Sequence, residues 1–195
     1  MPSNLRRVLV VIALMCPGSG VLADVITDWD QKAIDIVAPR MPSPQAQRIV
    51  ATMHAAMFDA LNSIERRYQP YLAQLPASPT TSKDAAAAAA AAAVLTRLQP
   101  SAEDELKGAL AAYLTKLPDT EAKSDGIKLG QGVAGEILEA RAHDGADAPD
   151  IYRPKMMPGV YVPTPITVAS TWPNVRPFQF RQTAGVGSLC PRGEE

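Results

Sequence analysis

From Arg48 to Ile64 the chain reads RIVATMHAAMFDALNSI, and its apolar residues recur at the spacing of a helix. Ile49, Val50, Met53, Ala56, Met57, Ala60, Leu61 and Ile64 follow one another at steps of three and four, which lays them along one broad stripe. His54, Phe58 and Asn62 form a second row beside the first, each four residues from the last. A helix that is apolar on two sides belongs at the centre of a bundle, so this segment predicts an all-α fold.

The rest of the chain is punctuated accordingly. Residues 28–37 read as a short first helix with Trp29, Ala33, Ile34 and Val37 inward, ended by Pro39. The central helix runs over 44–66, with Ser43 as N-cap and Pro44 at the first helical position. Residues 68–71 close it, and 72–82 form a proline-rich connection. Ser82 caps a third helix over 83–98, with Asp84 in the first turn where an acid suits the helix dipole. Nine alanines from Ala85 to Ala93 give that helix high propensity and a surface that a neighbour can approach closely. A fourth helix over 102–117 follows the capping-box pattern of Ser101 and Asp104, with Leu106, Leu110, Tyr113, Leu114 and Leu117 as its stripe. A fifth over 120–143 turns Ile127, Val133, Ala134, Ile137 and Leu138 inward, thins its surface at Gly126, Gly130 and Gly135, and stops at Gly145 as a C-cap.

Past Gly145 the pattern changes. Residues 146–180 hold seven prolines with Tyr152, Tyr161, Trp172, Phe178 and Phe180 between them, and show neither helical period nor strand alternation. They read as an extended arm that wraps a partner layer, since a free linker has no need of so many aromatics. The expected organisation is a leader at 1–23, part of a helical bundle at 24–145, the arm at 146–180 and a tail at 181–195.

The leader has the three parts of an export signal: Arg6 and Arg7, then the eight apolar residues of 8–15, then Val21, Leu22 and Ala23 at the cleavage positions. Eight apolar residues fall well short of the roughly 20 that span a bilayer. Cleavage would leave a chain of net charge −3 whose one cysteine is Cys190, because Cys16 lies in the leader and the whole chain carries −1. Such a chain forms no internal disulfide and offers no cysteine-based zinc site. Without a basic patch it is no candidate for nucleic acid, and the expected location is periplasmic or extracellular.

In order and spacing these segments resemble the amino-terminal part of the bacterial vanadium-dependent haloperoxidases, within the type 2 phosphatidic acid phosphatase superfamily. The similar stretches are HAAMFDALNSI with residues 68–72, the alanine helix ending VLTRLQPS, GIKLGQGVAGEILEARAHDG over 126–145, PGVYVPTP, and WPNVRPF over 172–178. The resemblance covers about residues 24–180, and it rests on the series, because no one piece is a catalytic signature. It implies a helical bundle that binds vanadate, or phosphate in the phosphatases, through several cationic donors and one imidazole.

In that family the oxyanion site needs a lysine followed six residues later by Arg-Pro, a Pro-Ser-Gly-His, and a late arginine with the histidine that bonds vanadium or attacks phosphorus. The chain has none of these. Lys32 and Arg40 are eight apart without the following proline, and Gly18-Ser19-Gly20 has no histidine after it. The resemblance therefore implies a catalytic half beyond this chain, or another subunit of the family, as the missing partner. The tail 181–195 reads either as a natural terminus or as out-of-frame residues after a frameshift or early stop, and the abrupt end of the match favours the second.

No residue is expected to be catalytic, cofactor-binding or metal-binding. His54 lacks a second ligand four residues on and reads as a buried histidine bonded to backbone or to an asparagine. Asp28 and Asp30 read as first-turn acids pointing away from the core. Asp144, Asp147 and Asp150 recur in a loop but lack the order and terminal glutamate of a calcium loop. Arg66, Arg67 and His143 read as residues that satisfy helix C-termini. The other reading of the whole is a small exported helical module that works through contacts.

Overall fold

The computed structural model of the chain describes residues 24–149, 151, 157–159 and 169–178. The expected leader at 1–23, Asp150, Cys190, the tail and most of the proline-rich arm lie outside the described residues. Five α-helices and two short 3-10 turns account for the regular structure, and among the described residues there is no strand. The helices are α1 (Val25–Val37), α2 (Ser43–Glu65), α3 (Lys83–Leu98), α4 (Glu103–Leu114) and α5 (Glu121–Arg141); the 3-10 turns are Pro100–Ala102 and Trp172–Asn174. The fold is all-α, as the periodicity predicts. Among the described residues no helix is long and apolar enough to cross a membrane.

The helix at the centre is α3, which packs against α1, α2, α4 and α5. Its alanines from Ala85 to Ala92 are all buried. With only a methyl group on each side of the rod, four neighbours can reach it, and the closest is α5. Gly126 and Gly130 make that approach possible: a Cβ on Gly130 would lie 2.2 Å from the Ala86 carbonyl oxygen and 2.8 Å from the Ala90 nitrogen. Gly135, expected to serve the same packing, faces open space.

Helix α2 contacts α1, α3 and α5. Its first stripe is the core-facing one, with Ile49, Met53, Ala56, Met57, Ala60 and Ile64 buried. The second row divides: Asn62 is buried, His54 is half-buried, and Phe58 is exposed. The central place expected for α2 thus belongs to α3, because α2 keeps one flank without a neighbouring helix.

Several boundaries differ from expectation. Helix α2 begins at Ser43 with Pro42 as its cap residue and no side-chain cap. The Ser101–Asp104 capping box is replaced by the 3-10 turn, and α4 starts from Ala102 without a side-chain cap. Ser82 and Thr120 do cap α3 and α5, their hydroxyls accepting from the amides of Ala85 and Lys123. Gly145 is not a helix cap, since α5 ends at Arg141 and Ala142 takes that place. Gly145 instead adopts φ +92° in the following turn, where a Cβ would press on the Asn174 carbonyl at 3.2 Å.

Candidate functional site

The polar residues on the buried side of α2 hold the connection that follows it. Asp59 is fully buried, and its carboxylate accepts three backbone N–H bonds: Tyr71 to Oδ1 at 2.7 Å, and Leu72 and Ala73 to Oδ2 at 2.9 and 2.8 Å. One turn further, the Asn62 side chain donates to the Tyr68 carbonyl and accepts from its amide, and Ser63 Oγ accepts from the Leu75 amide. These bonds lay residues 68–75 back along α2 and bring Tyr71 towards the end of α5.

There a charged cluster is assembled from three parts of the chain. Asp144 Oδ2 accepts from Arg48 Nε of α2 at 2.8 Å and from Arg141 of α5, Nε at 2.9 Å and Nη2 at 2.6 Å. Arg48 also donates to the Arg141 carbonyl at 3.2 Å. Arg141 and Asp144 retain only 3% and 4% of their exposure, so the pairing takes place out of water. The remaining Arg141 donors reach the Tyr71 hydroxyl at 3.3 Å and the carbonyls of Arg176 at 2.7 Å and Pro177 at 3.5 Å. Its guanidinium lies 3.8 Å from the centre of the Phe178 ring, which also contacts Tyr71. Burial pushes the Asp144 carboxyl up, but hydrogen bonds from Arg48 and the Ala146 amide, with the charges of Arg48 and Arg141, hold it below the usual aspartate value.

This arrangement is structural in kind. Every donor of Arg141 has a protein partner, and its acid is shared with Arg48. The cavity beside it, about 430 Å³, is lined by Arg48, Thr52, Arg97 and Leu138 among others. It carries acids as well, Glu139 and Asp147, so both signs of charge line it.

His54 is neither buried nor bonded to backbone or asparagine. Its Nε2 lies 2.8 Å from Asp30 Oδ1 of α1, with both side chains 39% exposed. Asp30 therefore does not simply point into solvent: it ties α1 to α2, whereas Asp28 sits in the first turn of α1 as expected. His54 borders an apolar groove of about 590 Å³ between α1 and α2, lined by Ile34, Ala38, Met41, Ala46, Val50 and Ala51. Among the described residues that line it, Ser43 is the other one with a reactive group, and it lies at the start of α2 with its Oγ bonded by Gln47.

The other candidates lie apart. Arg66 closes α2 in a left-handed conformation at φ 52°, through its amide and not its guanidinium. Arg67 pairs with Glu65 and lies over the Tyr68 ring, so neither arginine side chain serves the last carbonyls of α2. Arg40 reaches the Ile36 carbonyl, and His143 is exposed. Asp144 is engaged with Arg48 and Arg141, Asp147 is exposed, and Asp150 lies outside the described residues. Away from the cluster, burial and the acids Asp84, Asp28 and Asp24 push the Tyr113 phenol up to about 12.

Fold and site together define an all-α domain whose long-range polar bonds suture distant segments. No protein-family model, curated protein or solved structure matches the chain.

Proposed function

We propose that the chain is the amino-terminal helical scaffold of an exported vanadium-dependent haloperoxidase, or of a related phosphatase of the type 2 phosphatidic acid phosphatase superfamily. Vanadate or phosphate would be held by a catalytic helical half that this chain does not supply, and the chain alone is inactive. The observation that carries this reading is the convergence of the segments that bear the resemblance. Asp59 of HAAMFDALNSI holds residues 71–73, and Arg141 and Asp144 of GEILEARAHDG hold the VRPF segment at Arg176–Phe178. A set of resembling stretches that also bond to one another is what one ancestral scaffold would leave.

The test is an assay of the purified chain with vanadate, hydrogen peroxide and bromide, and separately with p-nitrophenyl phosphate, alongside the DNA downstream in all frames. The expected result is no turnover in either assay, together with a downstream frame encoding Lys-x6-Arg-Pro, Pro-Ser-Gly-His and the late histidine. Vanadate-dependent bromination by the chain alone would overturn the reading. An unrelated downstream sequence would favour a small exported interaction module, which the apolar groove between α1 and α2 also suits.

A further inference from the structure

We propose that residues 169–178 form a strap that docks on and leaves the bundle as a unit, with the Arg48–Asp144–Arg141 cluster as its latch. The strap is folded on itself by local bonds: Trp172 to the Ala169 carbonyl, Asn174 to that of Thr171 and Val175 to that of Trp172. None of its residues is fully buried, and none belongs to the hydrophobic core or packs directly against it. Helices α1 to α5 share their core without the strap, whose ring contact with the bundle is that of Phe178 on Tyr71.

Its polar ties to the end of α5, together with Phe178 resting on Tyr71, hold it there. The Arg176 amide donates to the Asp144 carbonyl at 2.8 Å, and the Arg176 guanidinium reaches the Ala140 carbonyl. Arg141 donates to the carbonyls of Arg176 and Pro177 and lies against Phe178. Gly145, at positive φ, lets Asn174 and Val175 settle over the turn. Arg141 can hold this posture because Asp144 fixes its Nε and Nη2.

The charged and titratable groups around Asp144 are Arg48 from α2, Arg141 from α5, the Tyr71 hydroxyl, and Arg176 of the strap. Arg97, Glu139 and Asp147 line the adjoining cavity, and His143 stands exposed next to it. Neutralising Asp144 leaves two guanidinium groups side by side with no shared anion. Arg141 then swings away, the carbonyls of Arg176 and Pro177 lose their donor, and the strap leaves while α1 to α5 stay packed. Undocking opens the Arg141 guanidinium and the cavity beside it to solvent.

The experiment compares amide hydrogen exchange by NMR in the full chain and in Asp144→Asn at neutral pH. The expected result is about a hundredfold faster exchange at the Arg176 amide, the scale set by removing one partner of a buried ion pair. Resonances of 172–176 should shift together while the α3 alanines keep their protection. Unchanged strap protection in the folded variant, or loss only in step with α3, overturns the proposal. Should Asp144→Asn not fold, the wild-type chain is titrated from pH 7 to 3. Strap resonances are then expected to move reversibly before helical circular dichroism is lost, and a single shared midpoint overturns the proposal.

Discussion

At Asp59 an acid occupies the buried stripe of an otherwise apolar helix, and the reason is three backbone amides with no other partner. Asp59→Asn keeps the shape but turns an NH₂ group towards N–H donors, so it should cost about 2–3 kcal/mol in urea denaturation followed by circular dichroism. His54→Ala makes a useful contrast. Its bond to Asp30 is a part-exposed pair between two helices, so the loss should stay below about 1 kcal/mol. A larger loss at His54 than at Asp59 would reverse the roles given to them. In the sequence Asp59, Asn62 and Ser63 stand out only as polar residues set three and one apart in an apolar helix, with nothing to say that all three turn inward. It does not say what they bind, because the partners are backbone groups 6 to 14 residues further on, which no side-chain pattern encodes. Arg48 and Asp144, 96 residues apart, are less legible still. Only the short Arg141–Asp144 spacing hints at a pair.

Among the elements, α3 and α5 show how a local composition becomes a packing rule. The alanine run and the glycines were readable as surfaces for close approach, and the helix positions follow the periodicity to within a few residues. Which glycines are used depends on the rotation of α5 about its axis, and that is set by contacts of the whole bundle. Gly130→Ala should therefore be destabilising by about 1–3 kcal/mol, since its Cβ would meet α3 backbone that cannot yield without moving the helix. Gly135→Ala, on the same helix with nothing within 4 Å, should stabilise by about 0.5–1 kcal/mol by lowering the conformational entropy of the unfolded chain. Thermal melts of the two variants against wild type decide the matter. A Gly130→Ala variant as stable as wild type or more so would mean that the α3–α5 contact is looser than these distances require.

For the whole molecule the open flank of α2 is the deciding feature. Ile34 and Phe58 are exposed, and between α1 and α2 runs the groove lined by Ile34, Met41, Ala46 and Val50. In the proposed reading a further helical layer covers this flank; in the isolated chain it meets water. Apolar surface of that kind drives association at roughly 25 cal/mol for each Å² removed from water, so the isolated chain should self-associate in a concentration-dependent way. Sedimentation velocity at increasing concentration is the direct measurement. The double variant Ile34→Glu with Val50→Lys should return the protein to a monomer with its helical circular dichroism intact, because Ile34 is exposed and Val50 is only partly buried. Salt should not dissolve the wild-type association, since a contact made by apolar side chains carries no charge to be screened. A wild-type chain that stays monomeric and melts cooperatively would mean that this flank is stable in water as it stands, and the scaffold reading would lose its missing layer.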